Sequence, residues 1–304
     1  MLAALTNPVL PIFAVLALGY LMQKAGFMAV AHAQAINRFV FYLAAPALGI
    51  KVIGQASPAT IDWGPVLVYF ATEIAIYAAI FTLMWRVFRR DTGESLLLGM
   101  TAVFANHVFF VLPISQYFYG AGAGAAMSGI ILLDIAVIFC GSVLLTEIAT
   151  QGRADLAGTL AKLARNPFVY APPLGVVIGF MGPYAPAGIW TFLDFTSAAA
   201  APVTLFSLGI TLAASPILPV RLPCWSVAAA KLAAMPLLVA FGLGHVIAPS
   251  EGLAPTITLL VAAGPCGAMP YVIATQYGVR TVTIAKTILI STLISLVTLS
   301  VLLP

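Results

Sequence analysis

Apolar runs of about 20 residues, separated by short polar or glycine- and proline-rich breaks, repeat along nearly the whole chain. A run of that length is what a helix needs to cross a bilayer. The pattern predicts ten spans, at about residues 8–22, 36–54, 65–88, 95–119, 125–148, 167–180, 193–213, 224–247, 253–276 and 283–303. Two of them are interrupted. The ninth carries Gly264-Pro265-Cys266-Gly267-Ala268-Met269-Pro270 at its centre, and the fourth carries Asn106, His107 and Pro113. A proline lacks the backbone N–H, and its ring crowds the preceding turn, so carbonyls around it lose their helical partners. In hydrocarbon such a break survives only inside protein or against a water-filled cavity. Paired interruptions at corresponding places in two halves point to a transporter's binding site.

Composition agrees. The chain has 304 residues, of which 62% are hydrophobic and only 7% charged; mean hydropathy is +1.10. A soluble domain carries roughly 25% charged residues, so these cannot coat a water-facing surface. An all-α polytopic membrane protein is predicted, with the lipid bilayer as solvent and no sizeable soluble domain. The first positive charge, Lys24, follows the first apolar run, which therefore reads as a retained helix rather than a cleaved signal.

The net charge of +4 does not form a nucleic-acid-binding stripe, because the basic residues are scattered over short loops. Lys24, His32 and Arg38 are assigned to the first loop; Arg86, Arg89 and Arg90 to the third; Arg153, Lys162 and Arg165 to the longest. Arg221 and Arg280 mark two more alternate loops. Of the rest, Lys51 ends span 2, Lys231 lies inside span 8 and Lys286 begins span 10. The positive-inside rule then places the basic loops in the cytoplasm and both termini outside, in a bacterial inner membrane.

The halves resemble each other. Asn7-Pro8 matches Asn166-Pro167 at an offset of 159, Ala44-Ala45-Pro46 matches Ala200-Ala201-Pro202 at 156, and Pro113 matches Pro270 at 157. Because each unit holds five spans, an odd number, the second is inverted relative to the first. Residues 1–150 and 151–304 are thus predicted to be two inverted five-helix repeats.

These residues resemble bacterial members of the auxin efflux carrier family, within the bile-acid/auxin transporter superfamily. The resemblance covers essentially the whole chain and rests on Ile36-Asn37-Arg38-Phe39-Val40-Phe41-Tyr42-Leu43-Ala44-Ala45-Pro46, on Asn106 with Leu112-Pro113, and on Gly264-Pro265 through Tyr277-Gly278. It implies a scaffold of spans 1, 2, 6 and 7, and a transport domain in which spans 4 and 9 are broken and cross. It also implies small organic anions as substrates, including dicarboxylates such as malonate or malate, moved by alternating access. The family's small glycines after the asparagine are replaced here by Val108 and Val111.

The candidate substrate-binding residues are Asn106, His107, Pro113, Gly264, Pro265, Gly267 and Pro270. Asn106 would bind a carboxylate or cap the second half-helix; His107 would titrate or serve an interhelical hydrogen bond. The prolines would preserve the breaks, whose half-helix N-termini attract anions, and the glycines would let backbones approach. Glu73 and Lys231, 158 residues apart, occupy equivalent repeat positions. With Asp134 they are candidates for ion coupling or its support, since ionisable groups inside spans are costly and usually functional. The plainer reading of Glu73 and Lys231 is snorkelling toward an interface. Gln116, Thr204 and Ser207 are weaker candidates.

Cys140, Cys224 and Cys266 show no C-x-x-C spacing, so neither a disulfide nor a metal site is expected. No G-x-x-x-x-G-K-[ST] loop occurs, and no nucleophile–base set points to an enzyme. No cofactor is expected. Proton or sodium coupling, a homodimer, and a sodium-coupled carrier of the bile-acid type remain open at this stage.

Overall fold

The computed structural model describes residues 10–56, 61–152, 156–214, 219–247 and 252–303. It is helical throughout, and the described residues contain no strand beyond one isolated bridge. The helices are α1 (Leu10–Lys24), α2 (Val30–Gln55), α3 (Trp63–Val87), α4 (Thr92–Val103) and α5 (residues 107–119). They continue as α6 (Gly122–Gln151), α7 (Leu156–Ala164), α8 (Pro167–Met181) and α9 (Ala187–Ala214). The last are α10 (Leu222–His245), α11 (Ala254–Ala263), α12 (Met269–Gln276) and α13 (Val282–Leu302). Six of these are long and apolar enough to cross a membrane: α2, α3, α6, α9, α10 and α13. The other apolar helices are short or interrupted.

Their ends follow local chemistry. Asp62 accepts a hydrogen bond from Gly64 N–H to start α3, and Asn166 accepts one from Phe168 N–H to start α8, with Pro167 in the first turn. Gly120 (φ 72°) and Gly152 (φ 74°) close α5 and α6 in backbone conformations that glycine adopts without strain.

Three prolines inside the apolar helices are accommodated by widening the turn before them, whereas Pro172 and Pro173 sit within α8 with no widened turn. Ala45, Leu112 and Met235 each donate five residues back, to Val40, His107 and Ala230. Pro46, Pro113 and Pro236 follow directly. Each π-helical turn thus absorbs the missing proline N–H without ending the helix. Two more such turns, Leu83–Val87 and Asp134–Phe139, have no proline after them.

The packing divides into two sets of contacts. In one, α1 lies against α9, and α8 against α2. Gly19 faces the Phe206 carbonyl and Gly209 the Leu16 carbonyl so closely that a Cβ at either would collide with backbone. Gly175 and Gly179 do the same against Ile50 and Gly54. In the other set, α3, α4, α6, α10, α11 and α13 surround a large core that includes Tyr69, Met84, Leu97, Met100, Ile130 and Met235.

Several expectations are corrected. His32 and Arg38 lie within α2, which begins at Val30, and are not in a loop. The longest basic loop contains a helix, α7, that carries Lys162; Arg165 follows it, and Arg153 lies outside the described residues. Asn7-Pro8 lies outside them too. The interruption of the fourth apolar run falls at residues 104–106, seven or more residues before Pro113, so that proline does not make the break.

Candidate functional site: a helix crossing and the cavity beside it

The two interruptions meet. Between α4 and α5 the backbone is extended at Phe104 (ψ 105°), and between α11 and α12 it is extended at Gly264 (ψ 158°). Ala105 and Cys266 pair there as an antiparallel bridge. Asn106 N–H donates to the Pro265 carbonyl at 2.8 Å, and Gly267 N–H donates to the Phe104 carbonyl at 2.8 Å. The backbone groups lost to each helix are thereby satisfied by the other, which buried peptide groups require.

Glycine makes the approach feasible. A Cβ on Gly267 would stand 2.9 Å from the Ala105 carbonyl oxygen, and one on Gly264 would overlap Val111. Val111, one of the two bulky departures from the family pattern, fills the space that Gly264 leaves.

Side chains complete the satisfaction of the break. His107 Nδ1 lies 2.8 Å from the Ala105 carbonyl, which requires the proton on Nδ1, and 3.6 Å from Asp134 Oδ2. The Ser291 hydroxyl accepts from Cys266 N–H at 3.1 Å. Lys231 Nζ donates to the Val261 and Ala262 carbonyls at 3.1 and 2.8 Å. It therefore places a positive charge on the negative end of α11.

Glu73, Asp134 and Lys231 are all fully buried, which excludes snorkelling for Glu73 and Lys231. The two acids lie within electrostatic reach of each other and of Lys231, and Tyr69 is beside Glu73. No donor reaches either carboxyl with hydrogen-bonding geometry among the described residues. Two carboxyls facing one ammonium leave one negative charge over when all three are ionised. No group of three metal-ligating side chains occurs among the described residues. His107, Asp134 and Lys231 all sit in π-helical turns, which recur at functional sites because they re-aim side chains.

Asn106 occupies the position before α5, but its side chain makes no capping bond; its carbonyl accepts from Phe110 and Val111. The capping reading is therefore corrected. Pro113 and Pro270 occupy matching places, each the second residue of an eight-residue helical segment, Leu112–Tyr119 and Met269–Gln276.

A cavity of about 600 Å³ lies between the two packing sets, bounded by α2, α5, the start of α6 and α9. Val108, Leu112, Pro113 and Gln116 form one wall; Leu48, Lys51, Val52 and Gln55 form the facing wall. Lys51 pairs with Asp194 at 2.8 Å. On the opposite side of the crossing, the space between α2, α6, α7 and α12 is about 50 Å³. Of the predicted residues, Pro113 and Gln116 line the cavity. Asn106, His107, Gly264, Pro265 and Gly267 form the crossing, Pro270 is buried beside it, and Glu73, Asp134 and Lys231 form a buried cluster that adjoins it through His107 and the carbonyls at the end of α11. Thr204 bonds the Ala200 carbonyl and Ser207 the Ala33 carbonyl, as packing groups do. Lys51 and Asp194 were not among the sequence candidates; the one signal was a lysine inside an apolar run.

Long apolar helices around two interrupted ones, with a cavity at their crossing, define a polytopic membrane transport protein. The chain belongs to the membrane transport protein family, matched over residues 4–303, the auxin efflux carriers of the sequence resemblance. It is 27% identical to a Rhizobium meliloti protein named "Putative malonate transporter", over 98% of this chain and 95% of that one. It is also 25% identical to an uncharacterized transporter of Methanothermobacter thermautotrophicus, over 97% and 96% of the two chains. A third, an uncharacterized transporter of Methanocaldococcus jannaschii, is 23% identical over 96% of each.

Proposed function

We propose that the protein is a secondary carrier of small organic carboxylates, dicarboxylates such as malonate or malate among them, working by alternating access in a bacterial inner membrane. The observation that carries this reading is the mutual hydrogen bonding of two interrupted helices beside a cavity open on one side only. Half-helix N-termini that converge on one point offer a carboxylate a positive dipole end.

The reading includes ten spans as two inverted five-helix repeats, 1–150 and 151–304. Support comes from the glycine contacts: α1 against α9 and α8 against α2 are the same contact with the halves exchanged. The matching positions of Pro113 and Pro270 support it as well. In this arrangement α1, α2, α8 and α9 are the scaffold and α3–α6 with α10–α13 are the moving domain. By the positive-inside reading both termini and the Gly120–Gly124 turn face the periplasm, so the cavity is that of an outward-open state.

Proteoliposome counterflow tests the function. Preloaded unlabelled malonate should accelerate entry of labelled malonate, with saturation, and Asn106→Ala should reduce that entry. Uptake that rises linearly with concentration and ignores internal substrate would mark a pore instead. Counterflow that requires sodium would place the protein with the sodium-coupled alternative.

A further inference from the structure

The cavity between α2, α5 and α9 is mostly apolar, yet one ion pair is set into its wall. Lys51, about one and a half turns after Pro46, bonds Asp194 of α9 at 2.8 Å. Among the described residues that line the cavity, Lys51 is the one cation and Asp194 the one anion. Their side chains are 27% and 57% exposed, and a pair so open to water holds weakly. A lysine in a low-polarity recess, matched only by a carboxylate free to swing outward, is arranged to exchange that carboxylate for another.

Its position fixes what the other would be. Leu48 and Val108 pack on one buried cluster at the inner end of the cavity, beside the first turn of α5. Lys51 lies three residues further along α2, about 5 Å outward, and Gln55 one turn beyond. A group held beside Leu48 and Val108 and a second held at Lys51 are thus offset by about one helical turn along α2. That spacing suits two carboxylates joined by a short aliphatic chain, which Val52, Leu112 and the surrounding alanines would cover.

We propose that Lys51 is the anchor for the second carboxylate of the substrate, that Asp194 occupies this anchor when the cavity is empty, and that this exchange selects dicarboxylates over monocarboxylates. The inference rests on the carboxylate-carrier reading above and adds the residue that sets its specificity.

The test uses purified full-length protein and isothermal titration with matched acids of three to five carbons, each dicarboxylate against the monocarboxylate of equal length. Lys51→Gln should lower the ratio of dicarboxylate to monocarboxylate affinity at least tenfold, and Lys51→Arg should keep most of it. Asp194→Asn breaks the same ion pair but removes the competitor, so dicarboxylate affinity should hold or rise about threefold. A merely structural pair would weaken binding with either substitution; a parallel loss in both variants therefore overturns the proposal, as does an unchanged ratio in Lys51→Gln. Should Lys51→Gln not fold, a loss of dicarboxylate affinity in Asp194→Asn is enough to refute it. Wild-type protein that binds neither acid class is a different failure: it removes the carboxylate reading, and this inference with it.

Discussion

Ala105 and Cys266 pair through their backbones at the point where two helices stop, so each helix break is finished by the other. The flanking bonds, Asn106 N–H to Pro265 and Gly267 N–H to Phe104, are both 2.8 Å. Neither break is stable by itself in an apolar interior, since each would leave peptide groups unpaired. The pair is one unit.

Gly267 is the position most sensitive to this closeness. Its replacement by alanine puts a methyl 2.9 Å from both the Ala105 carbonyl oxygen and the Phe104 ring, and neither has room to retreat. Overpacking of this kind costs about 1–3 kcal/mol. Gly141→Ala is the control, because nothing lies within 4 Å of a Cβ there and the residue is helical. Removing a helical glycine stabilises by about 0.5–1 kcal/mol. In detergent the Tm should fall for Gly267→Ala and hold or rise for Gly141→Ala.

The existence of two broken helices was legible because proline and glycine inside an apolar run have few other uses. The site of the first break was not. Pro113 marks a widened turn, while the chain opens at Phe104–Asn106 because Cys266, from the other half, is there to pair with it. α7 was also missed. Its Lys162, beside Arg153 and Arg165, drew attention to topology, although Leu156, Leu160 and Leu163 recur at helical spacing. The Lys51–Asp194 pair left no trace beyond a lysine in an apolar run, since residues on two separate helices announce their meeting only through the fold.

Lys231 binds two carbonyls at the end of α11 and faces two buried acids. Lys231→Met removes the donor and the charge together, and breaking a buried charge constellation typically costs about 3–5 kcal/mol. Much of that cost is the acids left behind. Glu73→Gln added to Lys231→Met should therefore recover part of the lost Tm. A double variant no more stable than Lys231→Met alone would show the loss to be in the carbonyl contacts.

Glu147 fastens α7 to the rest of the molecule. Its buried carboxylate accepts hydrogen bonds from Thr159, from Lys162 Nζ at 3.1 Å and from Tyr277 OH at 3.4 Å, which ties α6, α7 and the end of α12 together. Hydrogen bonds to a charged group contribute about 1.5–3 kcal/mol. Glu147→Ala should speed hydrogen exchange of the 156–164 amides at least tenfold, with the amides of α3 unaffected. Equal exchange in both proteins would mean that apolar packing, Leu163 against the core in particular, holds α7 in place.

Glu73 and Asp134 bear on energy coupling. Both are buried and both face Lys231. With one lysine opposite two acids, full ionisation leaves one negative charge uncompensated in a medium where isolated charge is expensive. On the carrier reading, a proton taken up on one side and released on the other would neutralise that charge during the crossing. Glu73→Gln and Asp134→Asn each remove the surplus permanently. Uptake driven by a pH gradient should then fall at least tenfold in either variant. Exchange of labelled for unlabelled substrate at equal pH needs no net proton movement and should persist. If both activities vanish together while the Tm is unchanged, the acids serve the domain movement itself. If gradient-driven uptake survives in both variants, the coupling charge lies elsewhere in the protein.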